Sequence, residues 1–359
     1  HPSSGACVQA LDVQPVSPLV ALAVFFVLTG VAALLLWPRR GVIARWVRLY
    51  RMTERVWLED ALKQVRQMDE GTRPATIESL AGALEVGRGH AMRLVERLVD
   101  QGLATSEAGR LALTPTGREY ALRMVRTHRL LERYLADQTG MAPADWHEEA
   151  ERREHAISAA EAERLSATLG TPRFDPHGDP IPTSTGELPA SIGRALPAFA
   201  AGQPVRVVHL EDEPREPFER LLALGLRPGV GLRVLEGDAQ GVRFRFDGRV
   251  HTLPRVVADQ ITAVPLAAGV QLDERVHGTL AGLAPGEEAQ VVRISAACQG
   301  PQRRRLLDLG VVPGTMISVE YASPGGDPVA YNIRGALIAL RRSQAELIQV
   351  EPSAIQAAS

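Results

Sequence analysis

Cysteine is almost missing from this chain: Cys7 and Cys298 are the only two in 359 residues, and they lie far apart. Neither a disulfide framework nor a thiolate zinc knuckle is therefore supported, and a reducing compartment fits most of the chain. Aromatic residues are scarce too, at 4%, which argues against recognition by stacked bases or aromatic cages. Neither charge sign dominates. The formal net charge of −2 argues against bulk adhesion to nucleic acid, although local basic faces stay open. No phosphate-binding glycine loop and no nucleophile elbow occurs. The stretch His147-Glu148-Glu149-Ala150-Glu151 has Glu where a zinc-protease helix needs its second His, so an enzyme is not expected. The 45% hydrophobic and 23% charged content is that of a globular protein, and the length allows two or three domains.

One long apolar run is present. Leu19 to Trp37 carries no charge and is close to the roughly 20 residues that cross a bilayer. Arg39, Arg40, Arg45, Arg48 and Arg51 follow it, and positive flanks stay cytoplasmic. The expectation is a single-pass protein of the cytoplasmic membrane. It has an external tail over 1–18, a transmembrane helix over 19–37 and a basic juxtamembrane segment over 38–52. The functional domains then lie in the cytoplasm.

Over 53–117 the apolar spacing predicts three helices and a short hairpin turning at Glu107-Ala108-Gly109, the outline of a winged helix-turn-helix. The third helix carries His90, Arg93 and Arg97 on one face, with Arg88 at its start. Such a face can read a major groove, and Arg110 on the hairpin is a phosphate-contact candidate. A solvated basic face is the plainer account.

The next segment, 118–170, reads as helical. It carries His128-x-x-x-Glu132 and His147-x-x-x-Glu151-x-x-Glu154-His155. Positions three and four apart share a helix face, so two facing helices can close a site of imidazole and carboxylate ligands. Nitrogen and oxygen donors without thiolate suit manganese, iron, cobalt or nickel. An exposed helix laced by Glu148–Arg152 and Glu149–Arg153 pairs is the alternative. Residues 171–194, rich in Pro, Gly and Asp, read as a linker. Beyond it Gly202 to Val208 is echoed from Gly286, and Leu221 to Gly229 is echoed by Leu306 to Gly314. That duplication predicts two small β-barrels, over 195–266 and 273–352. The whole is a multidomain α+β protein.

The segment from Leu58 to Pro182, with His128-Arg129-Leu130-Leu131-Glu132, Trp146-His147, Glu154-His155 and Asp179-Pro-Ile-Pro182, resembles the diphtheria-toxin-repressor family of dimeric, metal-dependent transcription regulators. Gly286 to Glu351 resembles the FeoA domain, an SH3-like barrel, and Ala201 to Val264 is similar to the third domain of the iron-sensing repressors. The resemblance implies a primary metal site of Asp60, Glu151, Glu154 and His155. It also implies an ancillary site of His128, Glu132 and His147, joined by His209 and Asp212 from the first barrel. Arg129 matches an arginine that holds an anion near that site. Asp60 and Glu151 stand as in the manganese-sensing members, whereas the FeoA-like barrel suggests iron, so Mn2+ or Fe2+ is the expected cofactor. Lys63 stands where the manganese type has a further acidic ligand, which puts a second ion there in doubt. The function implied is a tethered homodimeric repressor of metal-uptake genes on a palindromic duplex operator. The alternative is a membrane-anchored interaction protein acting on a ferrous iron permease.

Overall fold

The computed structural model describes residues 54–71, 74–190, 192–267 and 269–352, together with Leu19, Leu22, 24–27 and Thr29. Among the described residues no helix is long and apolar enough to cross a membrane. The expected external tail, most of the 19–37 span and the basic 38–52 segment lie outside the described residues.

The head begins with α1 (Glu54–Glu70), which turns Trp57, Ala61, Leu62 and Val65 inward. The spacing of these residues by three and four makes the buried stripe. Helix α2 (Ile77–Ala83) starts at a capping box of Thr76 and Ser79, which satisfies two otherwise orphaned amides. Helix α3 (Arg88–Asp100) buries Ala91, Leu94, Val95 and Leu98 against the other two. Strands β1 (Ala104–Glu107) and β2 (Arg110–Leu113) pair antiparallel, Glu107 opposite Arg110. Ala108 and Gly109 between them both have positive φ, as a two-residue hairpin turn requires.

Thr114 caps the long helix α4 (Pro115–Gln138), with Pro115 in its first turn, where the missing amide costs nothing. Gly117 fits there because a Cβ would lie 1.8 Å from the Leu103 carbonyl oxygen. Helix α5 (Trp146–Glu154) packs on α4 and is followed by α6 (Ala159–Thr168). Leu131, Leu135, Trp146 and Ala150 form the apolar contact between α4 and α5.

The expected linker is not a passive tether. Asp175 accepts the backbone amides of His177, Gly178 and Asp179 through one carboxylate oxygen. The backbone amide of Leu210 donates to the carbonyl of His177, at 2.9 Å. Gly178 allows that close approach: it has φ +100°, and a Cβ would lie 2.0 Å from the Val208 carbonyl oxygen.

The first barrel comprises β3 (Arg194–Ala195), β4 (Pro204–Leu210), α7 (Arg215–Ala223), β5 (Gly231–Gly237), β6 (Gly241–Phe246), β7 (Arg249–Pro254), α8 (Arg255–Ala258) and β8 (Ile261–Pro265). The second comprises β9 (Gly278–Thr279), β10 (Glu288–Ile294), α9 (Gly300–Asp308), β11 (Met316–Ala322), β12 (Val329–Ile333), β13 (Ala336–Leu340), α10 (Arg342–Ala345) and β14 (Ile348–Pro352). Their strand orders, β3-β8-β4-β5-β6-β7 and β9-β14-β10-β11-β12-β13, are the same arrangement. Even the bulges recur, between Val207 and His209 in one copy and Val291 and Arg293 in the other. Each copy has its own apolar core, which alternating strands supply by turning every second side chain inward.

Candidate metal centre

The two His–Glu stretches do come together, and they form two adjoining clusters. In the first, His155 follows the last residue of α5 and meets α1. Its Nδ1 lies 2.7 Å from Glu59 Oε2, and its Nε2 faces Asp60 (3.3 Å) and Glu154 (3.6 Å). Glu59 is fully buried and also accepts from Arg55 Nε and Tyr120 Oη, each at 2.7 Å. A buried carboxylate on one ring nitrogen fixes the imidazole and leaves the other nitrogen to a ligand. Asp60, Glu154 and His155 bring their donor atoms within 4.8 Å of one another.

The second cluster is built on α4 and α5, with Asp212 from the first barrel. His128 Nε2 is 3.0 Å from Glu132 Oε1 and 3.2 Å from His147 Nδ1, and His147 Nδ1 is 3.1 Å from Asp212 Oδ2. Donor atoms of His128, Glu132 and His147 lie within 4.8 Å, as do those of Glu132, Asp175 and His177. Glu154 joins the two clusters: Oε2 is 2.6 Å from His128 Nδ1, while Oε1 accepts from Lys63 Nζ at 2.8 Å.

These contacts shift the ionisation of several partners. Burial alone would disfavour a charged His147, yet its bonds to Asp212 and Glu132 push it up to about 11. For His155 burial is likewise outweighed, by Asp60 and Glu59, giving about 9. His177 also reaches about 9: burial is outweighed by Glu132. Burial would raise Glu154, but His128 and Lys63 hold it at about 2. Asp175 is pushed up to about 8, by burial and then by the charges of Glu132 and Asp179.

Several expected site residues stand elsewhere. Glu151 has a side chain 54% exposed and lies 3.7 Å from His147 Nε2, and it is not among the donors gathered with Asp60. On α5 it lies one turn from His147 and beside the Asp212–Glu213 loop, whereas His155, just past the helix end, reaches α1. His209 pairs with Asp179 (3.3 Å), whereas Asp212 does join His147. Arg129 is already occupied, by the Pro180 carbonyl at 2.6 Å and Asp179 at 3.2 Å, so the anion it holds is this chain's own carboxylate. Glu59, Asp175 and His177 were not expected. The His177 between two aspartates in a Pro/Gly segment is the signal that marks the last two.

On the head, Arg93 and Arg110 are exposed and make no ion pair among the described residues. Arg88 pairs with Glu78 at 3.0 Å and Arg97 with Glu54. His90 is half-buried with its ring 5.1 Å from that of Trp57, so it faces the head's own first helix.

A winged head whose first helix shares a histidine–carboxylate cluster with a helical core defines a metal-binding winged-helix protein. Residues 114–183 match the family model for the iron dependent repressor, metal binding and dimerisation domain, and 195–265 and 278–352 each match the FeoA domain. The chain is 32% identical over 208 residues to the iron-dependent repressor IdeR of Mycobacterium leprae, covering 54% of this chain and 90% of that protein. It is 31% identical over 181 residues to the diphtheria toxin repressor of Corynebacterium diphtheriae, covering 47% and 80%. Among solved structures, a manganese-dependent transcriptional repressor in complex with manganese superposes with a TM-score of 0.54 at 33% identity, covering 58% of this chain and all of that one. The ScaR repressor with bound Cd2+ gives 0.52 at 25% identity over 58% and 99%. The chain belongs to the iron-dependent repressor family, whose named members are repressors and not enzymes.

Proposed function

We propose that this chain is a metal-dependent DNA-binding transcription regulator that represses metal-uptake genes, acting as a homodimer on a palindromic operator. The observation that carries this reading is the bridge from His155, on the helical core, to Glu59 and Asp60 on the first helix of the head. Asp60, Glu154 and His155 would hold one divalent cation, and His128, Glu132, His147 and Asp212 a second. All are oxygen and nitrogen donors, which suits Mn2+ or Fe2+. When bound, the cation neutralises carboxylates that otherwise repel. Tying Asp60 to α5 fixes the angle between head and core, so binding shifts a population toward the DNA-competent arrangement. Two heads about one helical turn apart then meet two half-sites. Selection of duplexes from a random pool, with the full chain, tests this. With Mn2+ or Fe2+ a palindrome is expected to emerge, and equal enrichment after chelation would overturn the reading.

Lys63 sets how the first site loads. Its ammonium occupies Glu154 Oε1, so an incoming cation competes with it for one ligand. Lys63→Met is expected to tighten Mn2+ binding about tenfold, well inside the roughly 4 kcal/mol of two unit charges at 4 Å near a surface. Mn2+ titration followed by electron paramagnetic resonance measures it.

Attachment to the cytoplasmic membrane face is also proposed, from the uncharged 19–37 run and the arginines after it. The chain is expected to resist carbonate extraction from membranes, and release into the supernatant would remove the anchor. The tandem FeoA barrels favour a second reading, partnership with a ferrous iron permease. Loss of all duplex binding at low salt with metal present would favour it.

A further inference from the structure

A cleft of about 760 Å³ lies between the two barrels, and charge within it does not balance. Its carboxylates are all matched. Asp247 takes Arg293 and Gln349, Asp273 takes His277 at 2.6 Å, and Glu346 takes Arg342 at 3.3 Å. Three arginines that line the same cleft, Arg227, Arg249 and Arg303, form no ion pair among the described residues.

Arg227 is the informative one. It is only 7% exposed. One terminal nitrogen donates to the carbonyls of Leu226 (2.6 Å) and Leu222 (3.3 Å), but the buried Nε–H has no acceptor. No carboxylate acts on this guanidinium; burial alone lowers it, to about 10. A buried cation without a counter-charge is strongly unfavourable. The fold does not ask for it either. Leu224-Gly-Leu-Arg227-Pro-Gly229 is repeated in the second barrel as Leu309-Gly-Val-Val312-Pro-Gly314, where a half-buried valine serves the same turn. An arginine placed where valine suffices, lining a cleft with two more guanidinium groups that have no carboxylate partner among the described residues, is what an anion site looks like.

We propose that the cleft between the barrels binds a small multivalent oxyanion, of phosphate or polycarboxylate type, through Arg227 with Arg249 and Arg303. The planar guanidinium presents paired N–H donors to such oxygens. This site is separate from the histidine–carboxylate clusters and does not depend on the regulatory reading above.

The test uses the full chain, with inorganic phosphate and citrate as probes at low ionic strength. Calorimetry is expected to show saturable binding of at least one, and the arginine Nε–H resonance of Arg227 should shift during the same titration. Arg227→Val copies the second barrel's own turn, so the fold should survive. It is expected to weaken binding at least tenfold and to raise the melting temperature of the anion-free protein. Arg303→Gln should weaken binding and leave that melting temperature unchanged, which keeps the test alive if Arg227→Val fails to fold. Phosphate alone bound identifies a phosphate-type ligand, and citrate alone a polycarboxylate. No saturable binding of either probe, or binding unchanged in both variants, overturns the site.

Discussion

Glu154→Gln is expected to abolish the metal response of both clusters at once. One carboxylate serves both: Oε2 orients His128, and Oε1 faces Lys63 and His155. An amide keeps the shape but offers one weakly basic oxygen and no charge. Metal affinity should fall by at least about 100-fold, since even partners behind the ligands are worth 10–100-fold. The substitution also leaves the largely buried Lys63 ammonium without its carboxylate. Breaking such a pair costs about 3–5 kcal/mol, whereas replacing both members with neutral groups of similar size is often neutral. The double variant Lys63→Met with Glu154→Gln is therefore expected to recover most of the lost stability and none of the metal response. Chemical denaturation and Mn2+ titration on both variants separate the two effects. A single variant that still binds Mn2+ as tightly as the parent would remove Glu154 from the centre.

This sharing also explains how far the sequence could be followed. Helical spacing was enough to gather His128 with Glu132 and His147 with Glu151, because i,i+4 neighbours share a face whatever the tertiary context. The duplicated barrels were legible for a similar reason, since Leu221 to Gly229 and Leu306 to Gly314 are local echoes. Glu151 satisfied the same spacing, and it stands beside His147 without joining the donors gathered around Asp60. Periodicity says which face a residue occupies, not which of two neighbouring clusters that face meets. Glu59 was hidden beside Asp60: both reach His155, Glu59 from a fully buried place against Tyr120 and Asp60 from a half-buried one. His177 and Asp175 were lost in a Pro/Gly segment that local rules call a linker. Their place beside Glu132 is set by contacts some 45 residues away in sequence, which no local pattern carries.

Metal binding is expected to tighten as pH rises, while the metal-free protein loses stability over the same range. In the metal-free chain His155 at about 9 and His147 at about 11 are protonated near neutrality. A ring nitrogen must lose its proton to ligate a cation, so loading expels protons. For the Asp60–Glu154–His155 site, one proton leaves His155. Mn2+ affinity should then rise about tenfold per pH unit between about pH 6 and pH 8, and level off above about pH 9. The second cluster should be steeper, because His128, also raised although burial opposes it, and His147 both lose protons. The sign for stability is the opposite. Both pKa values are raised above the ordinary histidine value, so the protonated pairs stabilise the metal-free fold fully below about pH 6.5, and that contribution fades as pH climbs through about 9 and then about 11. Calorimetric titration with Mn2+ in buffers of different ionisation enthalpy counts the protons directly. His155→Gln should remove one unit of slope from the Asp60–Glu154–His155 site, because glutamine carries no proton to expel. A parent protein whose Mn2+ affinity is flat from pH 6 to pH 8 would mean that the histidines are not the groups the cation displaces protons from.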